Sequence, residues 1–171
     1  QIPAGSIPIA GILYSIMWNG SVWMVGGDGA PTNDTNTNSI AWSPDLATWI
    51  GIANTDTKLR IVKRIAWNGM YWVAVGAGDV STIMHSVDKN GLKWEDTYLT
   101  SNVGNKTANI TTVVNDVVWG GGRWVAVGRG NSVLGGGGVS ILYSADTPEV
   151  VGVNAAAAEY AIKGRRWTGV A

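Results

Sequence analysis

A chain of 171 residues, 46% of them hydrophobic, is long enough to bury one real core. Its 12 basic and 12 acidic residues cancel, so no net charge steers it to nucleic acid or to an acidic membrane surface. Cysteine is absent, which excludes disulfides and thiolate metal sites, and no apolar run approaches the ~18 residues of a membrane span.

The chain opens with QIPAGSIPIAG, which has no basic run and is a poor match to a signal peptide. It does not start with Met, so it is expected to be processed or to be a portion of a longer product. Residues 1–14 are read as an N-terminal segment. Next comes IMWNGSVWMVGG, from Ile16 to Gly27, and this phrase recurs. IAWNGMYWVAVG runs from Ile65 to Gly76, and VVWGGGRWVAVG from Val117 to Gly128. A worn copy, AIKGRRWTGVA, closes the chain from Ala161 to Ala171. The first tryptophans, Trp18, Trp67 and Trp119, stand 49 and 52 residues apart, and Ile162 takes that place 43 residues later.

Val, Ile, Trp and Gly broken by Asn-Gly or Gly-Gly are the composition of strands and hairpins, and the apolar spacing is not helical. Asn19-Gly20, Asn68-Gly69 and Gly120-Gly121 suit two-residue type I′ turns, which need positive φ at both positions. That turn predicts Trp67 opposite Met70 and Trp72 opposite Ile65, with the two indoles diagonal neighbours on one face. Ala66, Tyr71, Val73 and Val75 fall on the other face, which is also apolar, so each hairpin must be covered on both sides.

A second phrase follows each hairpin. Ile40–Ser43, Ile83–Ser86 and Ile141–Ser144 align as a third strand. Ser43-Pro44-Asp45 leads to Trp49, and Ser86-Val87-Asp88 leads to Trp94. Ser144-Ala145-Asp146 has no following Trp in step. A fourth strand is expected near Ile50–Ala53, Glu95–Thr100 and Val150–Val153. The units are therefore 15–55, 60–102 and 112–153, with 154–171 a linker and partial fourth unit. A period of about 40–50 residues made of strands points to the four-stranded antiparallel blades of a β-propeller-like array. The expected fold is all-β.

Ser-x-Asp, a tight turn and then Trp resembles the Asp-box, or bacterial neuraminidase repeat. The compound phrase W-N-G-x-x-W-V-A-V-G, followed by aromatic-Ser-x-Asp and Trp, is similar to a propeller-type repeat of large DNA virus and phage tail proteins. The resemblance covers most of residues 15–153. It implies a propeller and a place in a virion or at an extracellular surface, but no particular activity. It also implies structural roles for Ser43, Asp45, Trp49, Ser86, Asp88, Trp94, Ser144 and Asp146. The first box lacks its Gly, the second carries two extra residues, and the third lacks Trp.

Three and a half blades do not close a ring, since closed propellers have about four to eight. Ile7–Ser15 could pair with the C-terminal half-blade and close a small ring, because Ile12-Leu13-Tyr14-Ser15 echoes Ile141–Ser144. Alternatively, partial rings from several chains complete each other, or the chain is part of a longer propeller. The last two are favoured, because an unpaired final strand would be an aggregation hazard.

A sialidase would need an arginine cluster, and Arg60, Arg64, Arg123, Arg129, Arg165 and Arg166 do not recur at matching positions. His85 is the only histidine and fills the slot of Trp42 and Tyr143, so it reads as a packed aromatic. Gly26–Gly29 and Gly135–Gly138 match no phosphate loop. Asp28, Asn33 and Asp34 lack a calcium-loop spacing. The polar inserts Gly27–Ser39 and Ser101–Thr112 are where binding would sit on a rigid scaffold. Sequons occur at Asn33, Asn105 and Asn109, and formally at Asn19, which is read as serving its turn.

Three functions remain open. The first is a non-catalytic scaffold that contacts other proteins or further copies of itself. The second is a glycan-binding propeller, with Trp42, Trp49 and Trp94 stacking on sugar rings. The third is a hydrolase remnant. The first is favoured, with no catalytic residues, cofactor, metal, nucleic acid or membrane insertion expected.

Overall fold

A computed structural model describes residues 7–29, 38–78, 80–97, 111–130, 141–144 and 167–170. Every regular element among them is a strand. The first antiparallel sheet holds β1 (Leu13–Trp18), β2 (Trp23–Gly27), β3 (Ile40–Ser43) and β4 (Ile50–Gly51) in spatial order. The second holds β5 (Ile61–Trp67), β6 (Trp72–Ala77), β7 (Ile83–Ser86) and β8 (Trp94–Asp96). The third holds β9 (Thr111–Gly120), β10 (Arg123–Gly130), β11 (Ile141–Ser144) and β12 (Trp167–Val170). Neighbours in sequence are neighbours in each sheet, so each is a simple meander.

The hairpins differ from the expected register by one step. Trp18 pairs directly with Trp23, Trp67 with Trp72, and Trp119 with Trp124. Trp67 therefore faces Trp72 rather than Met70. The turn centres are Gly20-Ser21, Gly69-Met70 and Gly121-Gly122, each one residue later than the sequence suggested. Gly20 and Gly69 have φ of 98° and 95°, and neither Ser21 nor Met70 has positive φ, the pattern of a type II′ turn. Gly121 and Gly122 are both positive, as type I′ requires. In the first two hairpins the asparagine explains the shift. Asn68 Oδ1 accepts from the N–H groups of Met70 and Tyr71 at 2.9 Å each, and Asn19 Oδ1 does the same for Ser21 and Val22. A flanking position lets the short amide satisfy the turn's own backbone. Direct opposition then brings the indole centroids to 5.0, 5.0 and 5.2 Å in the three hairpins. Such tilted pairs add about 0.5–1.5 kcal/mol beyond their buried area.

A second device recurs in the first strand of every sheet. The register slips at Tyr14, Lys63 and Asn115, each a bulged residue four positions before its tryptophan. Opposite each bulge stands a glycine: Gly27, Gly76 or Gly128. A Cβ there would strike the facing strand's backbone, at Ile12 O, Ile61 O or Val113 O respectively. The recurring Val-Gly or Gly-Gly near the end of each second strand is therefore a close-approach site.

The last strand corrects the expected unit boundaries. Residues 154–171 were expected to form a linker and a partial fourth unit. Instead β12 runs against β11 and completes the third sheet, with Ser144 opposite Trp167. Trp94 stands opposite Ser86 in the same way, so Trp167 takes the register position of the tryptophan missing from the third box. The edge of β11 is thereby paired. The fourth strand expected at Val150–Val153 falls outside the described residues. Of the other two fourth strands, β4 ends at Gly51, where Ile52 sends its side chain into the core while its N–H still donates to Ile40 O at 2.9 Å, and β8 covers Trp94–Asp96. Of the stretch Ile7–Ser15 considered for ring closure, Leu13–Ser15 belongs to β1, the edge strand that pairs with β2.

The second sheet lies between the other two, with β5 against β1, β2 and β9, and β6 against β9. Met24, Ile40 and Ile52 of the first unit pack on Val62, Ile65, Trp72, Met84 and Trp94 of the second. Ala66, Val73, Val75 and Ile83 pack on Val114, Val117, Trp124, Ala126 and Leu142 of the third. Both faces of the β5–β6 hairpin are thus covered, as its two-sided apolar pattern demanded. Each fully buried aliphatic side chain here contributes about 1.5–3 kcal/mol. Polar contacts stitch the seams. Ser15 Oγ accepts from Ile65 N–H at 3.0 Å, Lys63 Nζ donates to Asn115 Oδ1 at 2.8 Å, and Arg64 pairs with Asp116 at 3.3 Å. Among the described residues no helix is long and apolar enough to cross a membrane.

Candidate functional site

The residues singled out by the Ser-x-Asp phrase sit at the corners where the third strand turns to the fourth. In the first corner Ser43 Oγ accepts from Leu46 N–H at 2.8 Å, and Asp45 Oδ1 accepts from Ala47 and Thr48 N–H at 2.9 and 2.8 Å. These backbone donors hold the Asp45 carboxyl below its ordinary pKa, Thr48 most strongly. Leu46 sits at φ 65°, the left-handed conformation that a glycine would adopt without strain.

The second corner is wider by two residues, and Asp88 uses both oxygens. Its Oδ1 accepts from Asn90 N–H at 2.8 Å and Leu92 N–H at 3.3 Å, and its Oδ2 from Lys93 N–H at 3.1 Å. Here the turn glycine is present: Gly91 has φ 71°, and its carbonyl accepts the Trp94 indole N–H at 2.8 Å. The first corner has no such glycine, and Trp49 Nε1 is buried with no hydrogen-bond partner among the described residues. Two serines do further work. Ser86 Oγ accepts from Trp72 N–H at 2.9 Å, and Ser144 Oγ accepts from Trp124 N–H at 3.0 Å, tying each corner to the inner tryptophan of its hairpin. Asp146 lies outside the described residues.

Trp49 and Trp94, two of the proposed sugar platforms, are buried. Trp42 is half-buried and packs against the core between the first two sheets. The three are not brought together into one surface. Trp49 belongs to a separate cluster with Ile9, Val25 and Ala41, on the side of the first sheet away from the second. A cleft of about 230 Å³ lies beside Trp94, lined by Asn54, Thr55, Lys58, Met84, Leu92 and Lys93 among others. Its cations are Lys58 and Lys93. Lys58 Nζ donates to the Trp94 carbonyl at 3.4 Å, and Lys93 pairs loosely with Glu95 at 3.9 Å.

His85 occupies the aromatic slot, as expected. Its Nδ1 lies 3.1 Å from Thr97 Oγ1, and Nε2 is buried without a partner among the described residues. Burial lowers its pKa, outweighing the opposing pull of Glu95 and Asp96. Asp28 receives Tyr14 Oη–H at 3.4 Å and stands 4.0 Å from Arg60, so it is tied to neighbouring side chains. Among the described residues no group of three His, Asp or Glu is placed to hold a metal ion. Asn33, Asp34, Asn105, Asn109, Gly135–Gly138, Arg165 and Arg166 lie outside the described residues.

Sequence reasoning missed two polar anchors. Thr55 Oγ1 accepts from Ser39 and Ile40 N–H at 3.0 and 3.2 Å while donating to Ile52 O at 2.8 Å. Ser15 bonds across to the second sheet. Thr55 belongs to no recurring phrase, and the echo of Ile141–Ser144 at Ile12–Ser15 suggested ring closure rather than a bond to the second sheet. No protein-family model matches the chain, and no curated protein matches it.

Proposed function

We propose that this chain is a non-catalytic repeat scaffold. Its three sheets are successive blades of a propeller-like array, and it works through protein contacts as a structural component of a virus or phage particle. One observation carries the reading: the chemically capable residues that recur are committed to holding their own sheets. The Asp45 and Asp88 carboxylates accept from backbone donors of their own turns. The Ser86 and Ser144 hydroxyls are held by tryptophan N–H groups. The pairs Trp67–Trp72 and Trp119–Trp124 pack between sheets. What is left for function is surface. The particle enters through the resemblance of the repeat to phage tail and large DNA virus proteins.

The competing reading, glycan binding, needs an open aromatic platform, and of the three candidates only Trp42 has ring surface outside the core. A glycan array run with the wild-type chain and Trp42→Ala discriminates. The scaffold reading expects no saturable hit for either protein. A saturable hit lost in W42A, or turnover of a sialoside, would overturn it.

A further inference from the structure

Each junction between sheets joins the forward face of one to the rear face of the next. At the first junction the forward face is Met17, Met24, Ile40 and Trp42; at the second it is Ala66, Val73, Val75 and Ile83. The rear faces are Val62, Ile65, Trp67 and Trp72, then Val114, Val117, Trp119 and Trp124. Aligned on the paired tryptophans, the same register positions serve both times. Among the described residues one face of each kind is therefore left unused. The first sheet has a free rear face of Leu13, Ile16 and Trp18, bordered by Trp23, which packs partly on the Ile9 cluster. The third has a free forward face of Val118, Val125, Val127 and Ile141.

Exposure marks the centres of these faces as open among the described residues. Ile16 is 54% exposed where its counterpart Ile65 is 1%. Val127 is 43% exposed and Ile141 47%, where Val75 and Ile83 are both 0%. Ile9 covers the far end of the rear face, over Val25, Ala41 and Trp49, and leaves the β1 side open. It stands in the run-in to its sheet much as Leu59 stands before β5, inside the first junction.

We infer that the occupant of each free face is the opposite face of a second copy of this chain, packed head to tail in the register of the two internal junctions. The inference rests on the scaffold reading and names its partner. It continues an interface that the chain already forms twice, with apolar side chains at the same positions on both sides. The register adds one polar contact. Tyr71 stands at the second junction with its ring 5.9 Å from Trp124, and its hydroxyl accepts the indole N–H at 2.9 Å. Arg123 holds that position in the third sheet, where its guanidinium lies over the Tyr143 ring, 5.9 Å from its centroid. The contact is heterologous, since different patches meet, and it extends until rotation closes it. Two copies bring six sheets together, within the four to eight that close a propeller.

Sedimentation velocity over a concentration series tests this with the chain as it is, together with Ile16→Glu and Val127→Glu. Both positions are exposed in the single chain, so near-ultraviolet circular dichroism should match wild type. Expected is a concentration-dependent species of two or more copies for wild type, and monomers for each variant alone. An equimolar mixture of I16E and V127E, each with one intact face, should regain a two-copy species. A wild-type chain that stays monomeric at about 100 µM, roughly the weak end of specific association, overturns the inference. So does assembly lost in one variant and untouched in the other, which would mean a like-to-like contact. Neither outcome touches the scaffold reading, which fails on glycan binding or turnover.

Discussion

Gly76→Ala should be among the most damaging single-methyl changes in this protein. Gly76 pairs with Val62 beside the bulge at Lys63, and a Cβ at Gly76 would lie inside van der Waals contact of the Ile61 carbonyl oxygen. It would also sit 2.8 Å from Ile61 C and 3.1 Å from Lys63 N, so the obstacle is backbone and cannot rotate away. Relief requires β5 to lift from β6 at this end. That loosens about two ladder hydrogen bonds, worth roughly 0.5–1.5 kcal/mol each. It also drags Val62, which is fully buried, from its seat against Gly26 in the first core, an overpacking disturbance of about 1–3 kcal/mol. The gain from a stiffer unfolded chain returns only about 0.4–1 kcal/mol. The net expectation is a loss of about 2–4 kcal/mol, a large share of the 5–15 kcal/mol typical of a domain. Urea unfolding followed by tryptophan emission measures it directly. Gly120→Ala is the matched control, because a Cβ there meets nothing within 4 Å and the residue has no positive φ. If G76A and G120A unfold within about 0.5 kcal/mol of each other, near the error expected of such comparisons, the account of the recurring glycine is wrong.

Ser86→Ala removes the acceptor for the buried Trp72 N–H, and chemical denaturation should show a loss of about 1–3 kcal/mol, the penalty of an orphaned buried donor. Leu46→Gly should raise the unfolding midpoint slightly, because relief of a left-handed conformation worth about 1–2 kcal/mol exceeds the 0.5–1 kcal/mol flexibility of glycine; a lower midpoint would refute the strain argument. The folded-state pKa of His85 is lowered, so the unfolded chain takes up its proton first as pH falls. The stability due to neutral His85 is present above the ordinary value of 6.5 and is lost as pH drops below it towards the depressed folded pKa. His85→Tyr, the residue found at that slot in the third sheet, should flatten the thermal-melt profile from pH 7 to 5 relative to wild type.

Much of the fold was legible because the chain repeats itself. Three aligned phrases marked three strand-built units, and two-sided apolar alternation in Ala66, Tyr71, Val73 and Val75 announced that the middle hairpin is covered on both faces. The self-bonding roles of Asp45 and Asp88 also followed from short carboxylates beside tight turns. The misreadings have physical causes. Asn-Gly is the strongest two-residue hairpin signal, but the Asn68 amide is better used beside the turn, and that choice moved the register by one. The tryptophan missing from the third box was sought within a few residues of Asp146, whereas Trp167 reaches the same register position from much further along the chain. Loop length is weakly constrained by closure entropy, so spacing alone could not find it.

The sequence by itself determined the paired strands of each hairpin and the three-fold recurrence, because these depend on local alternation and on turn chemistry. Only the tertiary structure decided the direct opposition of the tryptophans, the bulge that makes Gly27, Gly76 and Gly128 necessary, the strand that completes the third sheet, and the pair of faces left open. Each of these depends on how separate segments approach in space, where backbone contact distances and the burial of whole faces select among arrangements that local preference leaves nearly equal in energy.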